Sequence, residues 1–378
     1  MRVVFAPDSF KECLTAREVA AAMMRGWLAV DPQAECICVP MADGGEGTLD
    51  ALLASRGGQR LQAWVEGPLG EPVQADWGLL ADGTAIIEVA AASGLALVEP
   101  DRRDVLRASS FGTGQLIVEA LKHGARHLLL TLGGSACNDG GAGLLQALGV
   151  SLRDAGGAEL GRGGAALARL HHVDLSGLDL RLQGCTFEAA VDVDNPLCGP
   201  RGASAVFGPQ KGASPEQVAL LDTALGHFAA LLEDAAGQSV ATVPGSGAAG
   251  GIGFALRCVL AAELRPGVSL VAEQVGLAAH LQGADLLVTG EGRLDGQTLH
   301  GKTPLGVARL AQAAGVPVVA LGGSLGPGHE ALYEQGVSAA FSLCEGPQSL
   351  AEALACAEQQ IESRMRAIAR MWRVAQGR

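Results

Sequence analysis

A chain of 378 residues with 48% hydrophobic side chains is long enough for two ordinary domains with substantial cores. Its net charge of −13, without a long run of lysine or arginine, excludes the electrostatic footprint of a nucleic-acid binder. No apolar stretch approaches the roughly 18 residues needed for a membrane span.

In chain order, Arg2–Ala6 reads as a short apolar strand that stops at Pro7, too short for a signal-peptide core. Thr15 and Glu18 form a capping box. Val19, Met23, Trp27 and Val30 then follow on one helical stripe. Glu35–Val39 is a second strand, on which Cys36 and Cys38 are core filler, and a glycine loop leads to a helix near Gly47–Ser55. From about Gln59 the pattern changes to closely spaced strands, Leu61–Val65, Pro72–Trp77 and Ala85–Val89, with turn signals at Gly67-Pro68 and Asp82-Gly83. A helix at Thr113–His123 and strands at His127–Leu132 and Phe187–Val191 follow. Ser214 and Pro215 are the N-cap and N1 of a long helix with Val218, Leu221, Leu225, Phe228 and Leu232 inward. Strand–helix alternation returns with Leu286–Thr289, Val316–Leu321 and Val337–Leu343.

Alternating βα units predict parallel sheets that bind ligands at the carboxyl ends of their strands. The two ends of the chain look alike and the middle differs, which predicts an α/β architecture with a discontinuous first domain and the middle inserted into it. Nine cysteines, an odd number without C-x-x-C spacing, predict reduced thiols in a cytosolic protein.

Three motif matches are misleading at this level. Gly296 to Thr303 fits the P-loop expression, but Glu291–Asp295 separates it from the predicted strand and Pro304 follows. Gly245 to Gly250 fits G-x-G-x-x-G without the acidic residue that closes a dinucleotide site. Gly322 to Gly326 fits G-x-S-x-G, but no acidic residue lies between Ser324 and His329, as the hydrolase order requires.

Rare residues point elsewhere. Of 27 basic residues only Lys11, Lys122, Lys211 and Lys302 are lysine, and Asn138 and Asn195 are the two asparagines. Three of those lysines and both asparagines fall in glycine- or proline-rich loops, where a compact ammonium suits phosphate binding. The first loop presents Asp8, Ser9 and Lys11; the second packs Asp43 and Glu46 around Gly44 and Gly45, a pairing suited to Mg²⁺ or a substrate hydroxyl, although Asp43 as a plain helix cap is the alternative. The third carries Gly133, Gly134, Ser135, Asn138 and Asp139, whose backbone amides suit a phosphate; Cys137 as a nucleophile has no histidine nearby in sequence. The fourth offers Asp192, Asp194, Asn195 and Arg201 and continues to Lys211. The fifth holds Glu291, Arg293 and Asp295 and runs through His300 to Lys302 and Thr303. Charge neutralisation, alignment and a base are what phosphoryl transfer asks of a protein, so this inventory fits a kinase.

Ala6-Pro7-Asp8-Ser9-Phe10-Lys11, Met41 to Thr48, Gly133-Gly134-Ser135 with Asn138 to Gly141, Asp192 to Leu197, Phe207 to Gly212 and Gly290 to Asp295 together resemble the bacterial glycerate kinase family, in order and across nearly the whole chain. Cys137 stands where that family's pattern has threonine. The resemblance implies ATP-dependent phosphorylation of D-glycerate, at the 2-hydroxyl, to give 2-phosphoglycerate. It implies a Rossmann-like three-layer domain from residues 1–65 and 286–378, an inserted α/β domain from 66–285, and an active site in the cleft between them that closes by a hinge. Lys11 and Lys302 would steady the phosphates. Asp43, with Asp192 as substitute, would take the hydroxyl proton or hold Mg²⁺, and Arg201 or Arg293 would fork onto the substrate carboxylate. D-glycerate and ATP are then the partners, without nucleic acid or membrane, with a homodimer as the candidate assembly. The competing readings are a P-loop-like nucleotide-binding ATPase without a small substrate, a kinase for another small hydroxy acid, and a non-enzymatic sugar-acid sensor.

Overall fold

A computed structural model describes residues 1–299 and 301–377, so His300 in the P-loop-like match lies outside the described residues. Its strands are β1 (Arg2–Phe5), β2 (Glu35–Cys38), β3 (Gly58–Glu66), β4 (Pro72–Leu80), β5 (Thr84–Glu88), β6 (His127–Thr131), β7 (Ser151–Asp154), β8 (Leu170–Asp174), β9 (Thr186–Ala190), β10 (Glu263–Arg265), β11 (Leu286–Leu294), β12 (Val318–Leu325) and β13 (Ala339–Ser342). The chain forms two compact units. The first comprises 1–43, 50–56 and 266–378, and the second 44–49 and 57–265. Against the boundaries expected at 66 and 285, residues 44–49 and 57–65 lie in the second unit and 266–285 in the first. β3 follows β4 because the two pair antiparallel from Gly58↔Leu80 to Glu66↔Pro72.

The first unit is built on a five-stranded sheet in the order β13-β12-β11-β1-β2, with every pairing parallel. Its core gathers Val3, Phe5, Val19, Met23, Trp27, Leu286, Val288, Ile361 and Met365. The capping box of Thr15 and Glu18 starts the helix Ala16–Leu28, whose buried stripe includes Val19, Met23 and Trp27. That helix packs against the helix Ala357–Ala375 at Gly26, where an added Cβ would lie 2.5 Å from the Glu362 carbonyl oxygen. Cys36 is half-buried on this sheet, whereas Cys38, expected as core filler, is exposed because β2 is an edge strand.

One strand runs further than its composition predicts. β11 continues beyond Thr289 to Leu294, in register with β12 from Leu287↔Val318 to Leu294↔Leu325. The glycines there read as loop because they lack strand propensity. They are strand because a Cβ at Gly290 would meet the Leu321 carbonyl oxygen at 2.4 Å, and one at Gly323 would meet that of Gly292 at 2.4 Å. The P-loop-like stretch therefore begins almost directly after a strand, which corrects the reason for setting it aside.

The second unit carries a six-stranded mixed sheet, β10-β9-β6-β5-β4-β3, and the antiparallel pair β7-β8. β5, β6, β9 and β10 run parallel to one another, while β3, β4 and β5 form an antiparallel meander. The long helix Pro215–Ala236 opens with a capping box from Ser214 to Gln217, with Pro215 in the first turn. It buries Leu221, Leu225, Phe228 and Leu232, with Val218 half-buried. Among the described residues no helix is long and apolar enough to cross a membrane.

Candidate active site

In the first unit, backbone ladders at the carboxyl end of the sheet carry three loops together. Beyond the strands proper, the Asp8 amide donates to the Gly290 carbonyl (2.9 Å) and the Met41 amide to that of Pro7 (2.9 Å). Asp8, Asp43 and Glu291 consequently lie within electrostatic reach of one another. Asp8 is buried; its Oδ1 accepts from the Ser9 amide (2.6 Å) and its Oδ2 from the Thr303 hydroxyl (2.5 Å). Burial first, and then the Asp43 charge, push its pKa up to about 7, against the lowering effect of Thr303 and the Ser9 amide. Glu291 accepts from the Thr298 hydroxyl (2.6 Å) and pairs with the Lys302 ammonium at 3.4 Å. Burial still holds its pKa above the usual range.

Around this group, Lys11 is exposed in the turn after Phe10, and its backbone amide runs close to Gly292. Arg293 pairs with Asp295 at 2.9 Å, while the other Asp295 oxygen accepts from the Gln297 amide (2.8 Å). The first three residues of the P-loop-like segment are thus folded on protein acceptors: the Gly296, Gln297 and Thr298 amides donate to Pro327, to the Asp295 side chain and to the Asp295 carbonyl. A Walker A loop needs such amides free for phosphate, and here the hydroxyls of Thr298 and Thr303 face carboxylates.

In the second unit, β6 ends in the turn Gly133-Gly134-Ser135. Gly134 has φ +69°, and a Cβ at Gly133 would lie 3.1 Å from Gly45 Cα, so this turn and the Gly44-Gly45 backbone meet without side chains between them. Glu46 beside them is exposed. Beneath the turn the Lys211 ammonium is buried, donating to Ser135 Oγ (3.0 Å) and the Cys137 carbonyl (2.6 Å). Asp139 is also buried. It binds the Ser110 amide (2.8 Å) and hydroxyl (2.9 Å) and the amides of Gly141 (3.1 Å) and Gly143 (3.2 Å), which makes it the organiser of the loop. Asn138 donates to Ser204 Oγ (2.8 Å), and its Oδ1 is buried with no hydrogen-bond partner. Burial drives the Cys137 thiol pKa strongly upward, which disfavours the thiolate a nucleophile needs.

The Gly245–Gly250 match acquires a packing reason: the Gly140 amide donates to the Gly250 carbonyl (2.9 Å), and a Cβ at Gly250 would meet the Cys137 carbonyl oxygen at 2.1 Å. After β9, Asp192 is exposed, and Asp194 pairs with Arg201 on the surface at 2.8 Å. Asn195 is half-buried and donates to the Arg201 carbonyl (2.7 Å). Sequence reasoning missed Thr298, Ser110 and Ser204 as partners of these loops. Short hydroxyl residues beside glycine were their only signal.

The model of the glycerate kinase family matches residues 3–373. A glycerate kinase of Bacillus subtilis is 49% identical, with 98% of this chain and 97% of the relative covered. The glycerate 2-kinase of Escherichia coli K12 is 49% identical, with 93% of each covered. A crystal structure from Salmonella typhimurium LT2, assigned as glycerate kinase 2, superposes with a TM-score of 0.92 at 46% identity, covering 100% of both chains. The chain belongs to the glycerate kinase family.

Proposed function

From membership of that family we propose that the protein transfers the γ-phosphoryl group of ATP to the 2-hydroxyl of D-glycerate, giving 2-phosphoglycerate. The observation that carries the reading is the carboxylate group of Asp8, Asp43 and Glu291, with Lys302 and Thr303 set against it. A substrate hydroxyl needs a carboxylate to receive its proton, and a transferring phosphoryl group needs cations to meet its charge.

Asp43 is the proposed proton acceptor, with Asp192 as substitute. Asp8, held by Thr303 and the Ser9 amide, sets the field around Asp43. Lys11 and Lys302 are the proposed phosphate contacts. In the second unit the Gly133-Gly134 turn with Ser135, and Gly44-Gly45 beside it, is the proposed anion cradle, because Gly133 meets the Gly45 backbone and carries no side chain of its own. Arg201 and Arg293, each already paired with a carboxylate, would exchange that partner for the substrate carboxylate.

Mg²⁺ would enter with the nucleotide. Among the described residues no three acidic, histidine or cysteine side chains form a metal-holding group. One or two carboxylates plus phosphate oxygens suffice for Mg²⁺, and Asp43 in the first unit or Asp192 in the second is the proposed ligand. Bound there, the ion would neutralise phosphate charge. Nine free cysteines support a cytosolic setting.

The test is a ³¹P spectrum of the products from ATP and D-glycerate. A 2-phosphoglycerate resonance that appears only when glycerate is present is the expected result. A 3-phosphoglycerate signal would overturn the regiochemistry, and ATP turnover independent of glycerate would overturn the kinase reading in favour of a bare ATPase.

A further inference from the structure

The least explained group in the second unit is Lys211. Its side chain is only 2% exposed. A buried ammonium is costly unless a charge or a full set of acceptors meets it. Its hydrogen-bond acceptors are both neutral, the Ser135 hydroxyl at 3.0 Å and the Cys137 carbonyl at 2.6 Å. The carboxylate nearest in effect, Asp139, is occupied by the Ser110 amide and hydroxyl and by the Gly141 and Gly143 amides. Burial lowers the Lys211 pKa, and the Asp139 charge opposes that shift without supplying a hydrogen-bond acceptor.

The ammonium is donor-only, so in its bond to Ser135 the Oγ must be the acceptor. That occupies an oxygen lone pair and leaves the single hydroxyl proton of Ser135 to donate elsewhere. A hydroxyl that accepts from a cation is a stronger donor through its own proton. Ser135 sits on the Gly133-Gly134 turn, 6% exposed, at the end of β6.

We propose that Lys211 is a positioning residue that never touches substrate: it polarises Ser135, so that the Ser135 hydroxyl and the glycine turn bind an anionic oxygen of a substrate, carboxylate or phosphate. The inference rests on the proposed function and deepens its anion cradle. It also gives Lys211 a role other than direct phosphate contact.

The experiment is titration calorimetry of D-glycerate, ATP, and their uncharged counterparts glyceramide and adenosine. The proteins are the full-length wild type, Lys211→Met, Ser135→Ala and the double variant, with thermal melts of each. Loss of a charge-assisted hydrogen bond weakens binding roughly 10- to 100-fold. We expect Lys211→Met and Ser135→Ala each to weaken the same one anionic ligand by that factor. The double variant should be no weaker than Ser135→Ala alone, and the matching uncharged ligand should stay within about twofold. A glycerate effect assigns the anion as the carboxylate, and an ATP effect assigns it as phosphate. Unchanged affinity for both anions in Lys211→Met, additive effects in the double variant, or equal loss of charged and uncharged ligand overturns the proposal. If Lys211→Met does not fold, Ser135→Thr, which keeps the hydroxyl, must retain the affinity that Ser135→Ala loses, and equal behaviour of the two overturns it. A wild-type chain that binds these ligands but makes no phosphoglycerate sinks the functional reading alone, because the charged-against-uncharged comparison stands without turnover.

Discussion

The two units solve opposite electrostatic problems. The first crowds Asp8, Asp43 and Glu291 at the end of a parallel sheet and supplies one partly exposed ammonium, Lys302, at 3.4 Å from Glu291. The second buries an ammonium, Lys211, among neutral acceptors and leaves its nearest carboxylate otherwise engaged. Crowded negative charge favours binding a proton or cation, and a buried positive charge favours a nearby anion. That contrast makes separate demands on mutants of the two.

The largest effect is expected on the acidic side. Asp43→Asn should lower kcat by about 10²- to 10⁴-fold if Asp43 receives the hydroxyl proton. Steady-state assays check this, and near-wild-type turnover would remove Asp43 from that role. Next, Thr303→Val takes from Asp8 a donor that favours its ionised form. If turnover requires ionised Asp8 beside Asp43, the acid limb of the pH–kcat profile should move to higher pH by about one unit, with roughly tenfold lower kcat on that limb, and Thr303→Ser should restore it. A uniform drop at every pH would show Thr303 to be scaffold only.

A smaller effect falls on stability. The pKa of Asp8 rises from 3.8 in the unfolded chain to about 7 in the folded one, so the folded state holds the proton more tightly. That contribution is fully present below about pH 3.8 and is lost as pH rises through about 7. Asp8→Asn should therefore gain stability over the wild type between pH 5 and pH 8, by a few kcal/mol at most, in urea melts at the two pH values. A constant difference would mean that Asp8 does not titrate in this window. The smallest effect belongs to the surface: Arg201→Ala breaks a pair whose side chains are 68% and 74% exposed, and should change stability by less than about 1 kcal/mol. A KM for glycerate raised tenfold by the same change would support its proposed hold on the substrate carboxylate.

Local chemistry was legible where it acts over a few residues. The capping box at Thr15, the N-cap at Ser214 and the first-turn position of Pro215 stand as the sequence predicts. So do the strand–loop–helix order and the loops that carry Asp8, Asp43 and Ser135, because caps and turn residues satisfy backbone groups three or four positions away. The five-residue extension of β11 was not legible, since glycine favours a strand only when another backbone must come as close as Leu321 does to Gly290.

What the amino-acid sequence by itself determined is the family, the strand–helix alternation at the two ends of the chain and the set of charged and glycine-rich loops. Only the tertiary structure decided which members of that set act on one another. The Thr303–Asp8 bond spans 295 positions and the Lys211–Ser135 bond 76. Lys11 and Lys211 look alike as rare loop lysines, yet one is exposed and the other sealed. Burial sets the energy of a charge, and burial is decided by residues remote in sequence, so no local pattern could have told the two lysines apart.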